Sequence, residues 1–208
     1  RAATDRSRAK IAQALNTEAA AVMIHATQTH SAPSIGNFIL SDEYPGLPEE
    51  LAWLKGSEVE YSNFVEGKIV EVALRAAENM EQIEMGAGSA IEGRWAFNRR
   101  AVRRDGSVFM PSRKWKGPLH FKEMFHMEGP IDPELGVVSF RKKDGDILSI
   151  LANYTCHPVH VFPQQIVSAD WPGSFADALR QNLDGALVPI ITNGACGDVN
   201  PWPPFDPD

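Results

Sequence analysis

The chain has 208 residues, 43% of them hydrophobic and 23% charged, enough for one sizeable core and too little for two comfortable domains. Its formal charge of -7 and isoelectric point near 5.4 oppose general attraction to nucleic acid or anionic membrane, because the long-range field repels both. No apolar run approaches the roughly 20 residues that span a bilayer and no basic, apolar, small-residue series marks a signal peptide, so a soluble chain with no transmembrane segment and no nucleic-acid partner is expected.

The chain opens without Met at Arg1, and residues 203–208 read as loop, so neither end reads as a natural terminus and flanking segments are expected. The two cysteines, Cys156 and Cys196, are too few for a disulfide framework and are expected to remain unbridged. Thr4 or Asp5 is a plausible N-cap for a first helix carrying Ala9, Ile11, Ala12 and Leu15 and ending at Asn16. Residues 20–27, with Val22, Met23 and Ile24, suit a buried strand that leads to His30, and His25 within it is expected to be buried structure. The long Pro-, Gly- and Ser-rich loop 31–48 suggests cover over a site.

Between residues 58 and 80, Val59, Ser62, Val65, Ile69, Val72, Ala73 and Ala76 recur at three- and four-residue steps, which predicts one helix with a single apolar face. Strands are predicted near 83–90, 137–141 and 147–154, with Lys143-Asp144-Gly145-Asp146 as a hairpin turn between the last two. A last helix starts near Asp170 and contains Phe175, Ala178, Leu179 and Leu183, and the strand 187–191 then delivers the loop 192–201. Helices and strands alternate around one hairpin, so the fold class is α/β, a mixed sheet with flanking helices, expected to form part of a larger catalytic domain spanning residues 1–208. Gly86 and Gly88 lack the third glycine and following helix of a dinucleotide fingerprint.

Three segments place reactive side chains directly after apolar runs: 27–33 with His30, 153–160 with His157 and His160, and 193–201 with Cys196 and Asp198. In an open α/β sheet, sites collect at strand ends. A lone His there is more often a hydrogen-bonded structural residue than a ligand, yet imidazole is the commonest protein ligand for divalent transition metals. Zinc needs three or four ligands, so His30 and His157 alone do not complete a site, and His160 is an alternative to His157. His120 and His126, among basic and aromatic residues, suit a surface or lid role.

Residues 94–116 carry Arg94, Arg99, Arg100, Arg103, Arg104, Arg113, Lys114 and Lys116 against Asp105 alone. A solvated hairpin around Asp105-Gly106 is one reading. A guanidinium clamp on an anionic or carbonyl-bearing substrate is the other, with Arg99 the choice for it. In the loop 193–201, Gly194 and Gly197 permit a nest of N–H groups suited to an oxyanion, or simply a tight turn. Cys196 reads as a small buried thiol or, alternatively, as a nucleophile.

Taken in order, Gln28-Thr29-His30-Ser31-Ala32-Pro33, Asn98-Arg99-Arg100, His157-Pro158-Val159, Ala169-Asp170-Trp171-Pro172-Gly173 and Gly197-Asp198-Val199-Asn200-Pro201 resemble the successive motifs of the neutral/alkaline ceramidase family over nearly the whole chain. The resemblance implies a zinc-activated water attacking the carbonyl of an N-acyl sphingoid base. In that family zinc is held by two His, one Glu and one Tyr. His157 matches one His, while the Glu and Tyr belong to a later region, so the remainder of the same protein is expected to complete the site. Gln28 stands where the family has its other ligand, which leaves His30 to take over or the metal to differ. Gly194 stands near a family Ser sometimes assigned an active-site role, which disfavours a serine nucleophile, and Trp171 and Pro172 replace polar residues of the fourth motif.

The resulting expectation is a metal-dependent amide hydrolase with His30 and His157 at zinc. His30, Arg99 and Asp198 form the catalytic group, Gln28, Gly194 and Cys196 line the substrate site, and the substrate is a lipid or other small molecule. The rival from another class is a non-catalytic lipid- or glycan-binding protein of the same fold, and a Cys196–His157 cysteine hydrolase is the third reading.

Overall fold

A computed structural model describes residues 2–36, 40, 44–56, 58–111, 123–183 and 187–201. Arg113, Lys114, Lys116 and His120, and the loop expected at 203–208, lie outside them. The chain divides into two compact units, residues 1–25 with 32–81, and residues 26–31 with 82–208.

In the first unit, helix α1 (Ala2–Ala14) packs on helix α2 (Val59–Ala77). Helix α1 begins before Thr4 and Asp5, so neither is its cap; it buries Ser7, Ile11 and Ala12 while Leu15 stays largely exposed. Helix α2 forms where the apolar spacing predicts it, but its buried stripe is rotated from the expected one. Ser62 and Glu66 are buried, whereas Val59 and Val72 are 67% and 63% exposed. A charge inside the helix contact needs a partner. Glu66 has one in the Arg6 guanidinium, which approaches both carboxylate oxygens and holds Glu66 below the usual carboxylate range.

The strand expected at 20–27 is not present. Residues Ala19–Ala21 form a short 3-10 turn, Val22 after them is extended, and no ladder forms over residues 22–29. The Arg8 side chain takes the carbonyls of Ala19 and Val22 instead, Met23 is 75% exposed, and His25 is exposed rather than buried. Here β-branched content was not matched by an alternating pattern that a sheet could bury.

In the second unit, strands β1 (Ile83–Ile91), β6 (Glu134–Lys142), β7 (Ile147–Tyr154) and β8 (Val188–Asn193) form a mixed sheet in the order β1-β6-β7-β8. Strands β1, β6 and β7 pair antiparallel, with the turn at Lys143–Asp146 closed by a Gly145 N–H to Lys142 carbonyl bond and Gly145 at φ +98°. Strands β7 and β8 pair parallel, which requires a crossover. Helix α3 (Asp170–Asn182) lies in that crossover and packs on β8. Ile150, Ala152 and Leu187 form the core there with Val137, Phe175, Leu179 and Ile191. Short strands β2 (Ala96–Asn98) and β9 (Val199–Pro201) pair with each other, and β3 (Ala101–Val102) lies between β4 (Val108–Phe109) and β5 (His126–Met127). The α/β class with a mixed sheet and flanking helices is thus observed. Among the described residues no helix is long and apolar enough to cross a membrane.

Ala152 is fully buried in register with Val137 and Ile191, so a larger side chain there must displace neighbours. Ala152→Leu is expected to destabilise the protein by about 1–3 kcal/mol, read as a lower urea midpoint, while Ala87→Leu on the exposed strand β1 should shift it by less than about 0.5 kcal/mol.

Candidate functional site

The last pairs of the parallel ladder set Asn153 opposite Thr192 and Tyr154 opposite Asn193, and the two side chains Asn153 and Thr192 are joined by a 2.9 Å hydrogen bond. Both chains therefore leave the sheet side by side. Residues 155–160 emerge from β7 and residues 194–198 from β8, and Asn193 ties in a third segment by donating through Nδ2 to the carbonyls of Thr27 and Cys156.

His157 is almost fully buried at 4% exposure. Its backbone N–H donates to the Val199 carbonyl, and its Nδ1 lies 3.0 Å from the Cys196 carbonyl. A carbonyl oxygen only accepts, so Nδ1 carries the proton and Nε2 keeps its lone pair in the neutral ring. That Nε2 lies 2.9 Å from Nε2 of His30, with the two rings edge to face at 4.8 Å between centroids. His30 is held to the same loop by its own N–H, which donates to the Pro158 carbonyl. His160 does not join the pair; it is exposed and lines a cavity of about 890 Å³ with Trp95, Tyr154, Trp171 and Phe175. His126 is exposed in β5.

Both imidazoles are held below their ordinary 6.5. Burial is the main cause for each, with Arg99 a further cause; for His157 the bond to the Cys196 carbonyl and for His30 the charge of Asp170 oppose it. His30 as a residue is solvent-accessible, and its ring meets both His157 and Phe162 edge to face. The neutral forms, with lone pairs available, are therefore favoured at neutral pH.

Arg99 follows directly on β2. Its N–H donates to the Asp198 carbonyl at 2.7 Å, and its guanidinium Nη1 reaches Asn200 Oδ1 at 3.4 Å and Met110 Sδ at 3.9 Å. The basic stretch resolves into different uses. Arg100 pairs with Glu128, Arg103 pairs with Glu123 and stacks over Phe109, and Arg104 lies over Phe125. Among the described residues no carboxylate lies within ion-pair distance of Arg99, and it acts electrostatically on His30, His157 and Cys196. Asp198 supports this arrangement from behind, accepting from Asn98 Nδ2 at 3.1 Å, while Asn98 Oδ1 accepts from the Arg100 N–H.

Gly194 has no room for a side chain, since a Cβ there would fall 2.1 Å from Thr155 Oγ1. Cys196 contributes its carbonyl to His157, and its Sγ lies 3.8 Å from Gln28 Oε1. Gln28 itself is held at φ +62°, a left-handed conformation uncommon outside glycine. Both cysteines are free and buried. Burial pushes the Cys156 thiol up to about 12 and the Cys196 thiol upward as well, the opposite of the shift that makes a nucleophile.

Sequence reasoning missed Asn98, Asn200, Asn193 and Ser168 as parts of the site. Ser168 donates its N–H to the Ser31 carbonyl and accepts at its own carbonyl from Thr29 Oγ1. The signal available for Asn98 and Asn193 was their position, flanking Arg99 and Gly194, and for Asn200 its place in the 197–201 motif. Two imidazoles whose Nε2 atoms converge, one with its Nδ1 anchored to a carbonyl, fit half of a zinc shell. Among the described residues no group of three His, Cys, Asp or Glu side chains gathers to hold a metal.

No protein-family model matches the chain, and no curated protein does. Solved structures do. Neutral ceramidase from Pseudomonas aeruginosa superposes with a TM-score of 0.64 at 17% identity over 96% of this chain and 31% of that one. A ceramidase complexed with C2 gives a TM-score of 0.63 at 16% identity over 95% of this chain and 29% of that one. The chain shares their fold, as its motifs suggested, and spans less than a third of the length of these structures.

The depressed histidines carry a consequence for stability. A neutral imidazole pair favoured by the fold contributes stability that is complete above the unfolded value of 6.5 and is lost as pH falls through the lower folded values. Urea unfolding between pH 8 and pH 4.5 should show that loss in the wild type and a flatter profile in His157→Gln.

Proposed function

We propose that this chain carries part of the active centre of a ceramidase-like hydrolase that cleaves an amide, an N-acyl sphingoid base or a related lipid or small molecule. The observation that carries the reading is the 2.9 Å approach of His30 Nε2 to His157 Nε2, beside a guanidinium whose charge acts on both. The shared fold with two ceramidases, one of them complexed with C2, supports it.

In this reading His30 and His157 hold zinc, and the remaining ligands come from the rest of the protein. Bound zinc supplies Lewis acidity, lowering the pKa of water and polarising a carbonyl. The chain's own residues do the rest. The Cys196 carbonyl fixes the tautomer and orientation of His157, which keeps its Nε2 lone pair aimed at the centre. His30 is the more accessible of the two rings; because His157 Nε2 accepts, His30 Nε2 carries the proton between them, and it gives up that proton to act as a general acid or to serve as a ligand. Arg99, steadied by Asp198 and Asn200, presents a planar fork that orients an acyl carbonyl. Gln28, Gly194 and Cys196 are assigned in this reading to the substrate side of the centre, with Cys196 Sγ 3.8 Å from Gln28 Oε1.

The test is metal analysis and amide hydrolysis on the full-length protein. Stoichiometric zinc, with hydrolysis of an N-acyl sphingoid amide lost on chelation and restored by zinc, is the expected result. Zinc-free protein that binds the amide without cleaving it would instead mark a non-catalytic binder, and loss on thiol alkylation alone would mark a cysteine route.

Arg99→Lys is expected to cost about 1.5–3 kcal/mol of transition-state stabilisation, since an ammonium cannot reproduce a two-pronged contact. The same change at Arg103 or Arg104, which serve Glu123 and the Phe109 and Phe125 rings, should cost less than about 0.5 kcal/mol. Equal small effects on kcat/KM at all three positions would reject the clamp.

A further inference from the structure

Asp170 is buried to 5% exposure and held at φ +54°, in the left-handed region, where helix α3 begins. Asp tolerates this conformation better than most residues because its short side chain bonds the local backbone. Here both carboxylate oxygens do so: Oδ1 accepts from the Trp171 N–H at 2.7 Å and Oδ2 from the Val161 N–H at 3.0 Å. The first bond fixes the helix start, and the second reaches nine residues back to the end of the loop that carries His157.

The same residue reaches the other histidine through one neighbour. The Asp170 N–H donates to Ser168 Oγ at 3.0 Å. Ser168 in turn donates its N–H to the Ser31 carbonyl at 2.8 Å and accepts from Thr29 Oγ1 at 2.9 Å, so it grips the segment on both sides of His30. Trp171, whose N–H Asp170 holds, closes the circuit by donating its indole N–H to the Cys156 carbonyl, one residue before His157. The stretches 29–31, 156–161 and 168–171 are thus tied together through Asp170 and its neighbours Ser168 and Trp171.

We infer that Asp170 is the positioning residue of the histidine pair, acting through the Val161 and Trp171 N–H groups on the His157 loop and through Ser168 on the His30 segment. This rests on the proposed hydrolase only for its effect on catalysis; the geometric claim stands without it. Asp170 acts through backbone N–H groups and Ser168 rather than by a hydrogen bond to either imidazole, and through them it controls how closely the two rings approach. Its negative charge also opposes the depression of His30. A backbone held in a sparsely populated conformation at such a junction persists because the surrounding bonds overdetermine it.

The experiment uses full-length protein with histidines labelled at 13Cε1 and reads the nuclear Overhauser cross-peak between the His30 and His157 rings, alongside the melting temperature and amide hydrolysis. Asp170→Asn keeps the left-handed preference and one acceptor but sets an amide N–H against the second backbone donor. The expected result is a ring cross-peak reduced at least twofold in protein that remains folded, with kcat down about 10- to 100-fold and KM within about twofold, the scale of losses seen when a supporting contact or placement is disturbed. Asp170→Gly relieves the backbone strain and removes both acceptors; it should lose the cross-peak further, which separates the pin from the strain.

A residue that merely stabilised the fold would lower the melting temperature and leave the cross-peak of the folded fraction intact, and that outcome overturns the inference. If the Asp170 variants do not fold, Ser168→Ala removes only the hydroxyl that accepts from Asp170 and must still weaken the cross-peak; an unchanged one overturns the proposal. A wild type without hydrolysis whose cross-peak nevertheless depends on Asp170 refutes the hydrolase reading and supports the positioning role.

Discussion

The parallel register of β7 on β8 is the constraint from which the site follows. With Tyr154 opposite Asn193, the loops leaving the two strands start one strand spacing apart, about 4.8 Å, and cannot avoid each other. The loop from β8 turns at Gly194, where any side chain would strike Thr155, and brings the Cys196 and Val199 carbonyls onto the ring and backbone of His157. A buried imidazole so clasped has little rotational freedom left. The continuation of that loop pairs as β9 with β2 and presents Arg99 at the end of the pairing, so ring and guanidinium are placed by one excursion of chain.

Electrostatics then select among chemistries. A guanidinium near the two imidazoles, one buried and one solvent-accessible, disfavours their protonation, which leaves nitrogen lone pairs for a Lewis acid or a proton. The same burial keeps both thiols protonated and removes the thiolate that sulfur chemistry requires. Arg100 and Arg103, a few residues away, are neutralised by Glu128 and Glu123, so the positive field at the histidines comes chiefly from Arg99. Among the described residues of the basic stretch, Arg94, Arg100 and Arg103 pair with carboxylates and Arg104 lies over Phe125, while Arg99 acts on the histidines.

Much of this was legible in the sequence because it is local. The turn at Lys143–Asp146, the start of α3 at Asp170, strands β1, β6, β7 and β8, and the placing of His157 after the apolar run of β7 all follow from period and turn chemistry. What failed failed for tertiary reasons. The apolar run at Val22–Ile24 has the composition of a strand, but the Arg8 side chain takes two of the carbonyls around it, and His25 is exposed with it. The stripe of α2 is set by a charge partner on α1, which no periodicity announces. The anchoring of His157 by the Cys196 carbonyl spans 39 residues, and the roles of Ser168, Asn98 and Asn200 exist only as contacts between segments distant in sequence.

The separation of the paired histidines has a kinetic meaning. His30 and His157 lie 127 residues apart in the chain, and β7 meets β8 only after the α3 crossover closes. Contacts of such span carry their loop-closure entropy before any reward arrives, and they form late relative to hairpins such as β6–β7. The segment 26–31 leaves the ribosome long before the residues that give it a place, and it has no ladder of its own to hold it. The ring contact is therefore a signature of completed folding: a chain arrested after its hairpin has formed already owns most of its sheet and none of its chemistry.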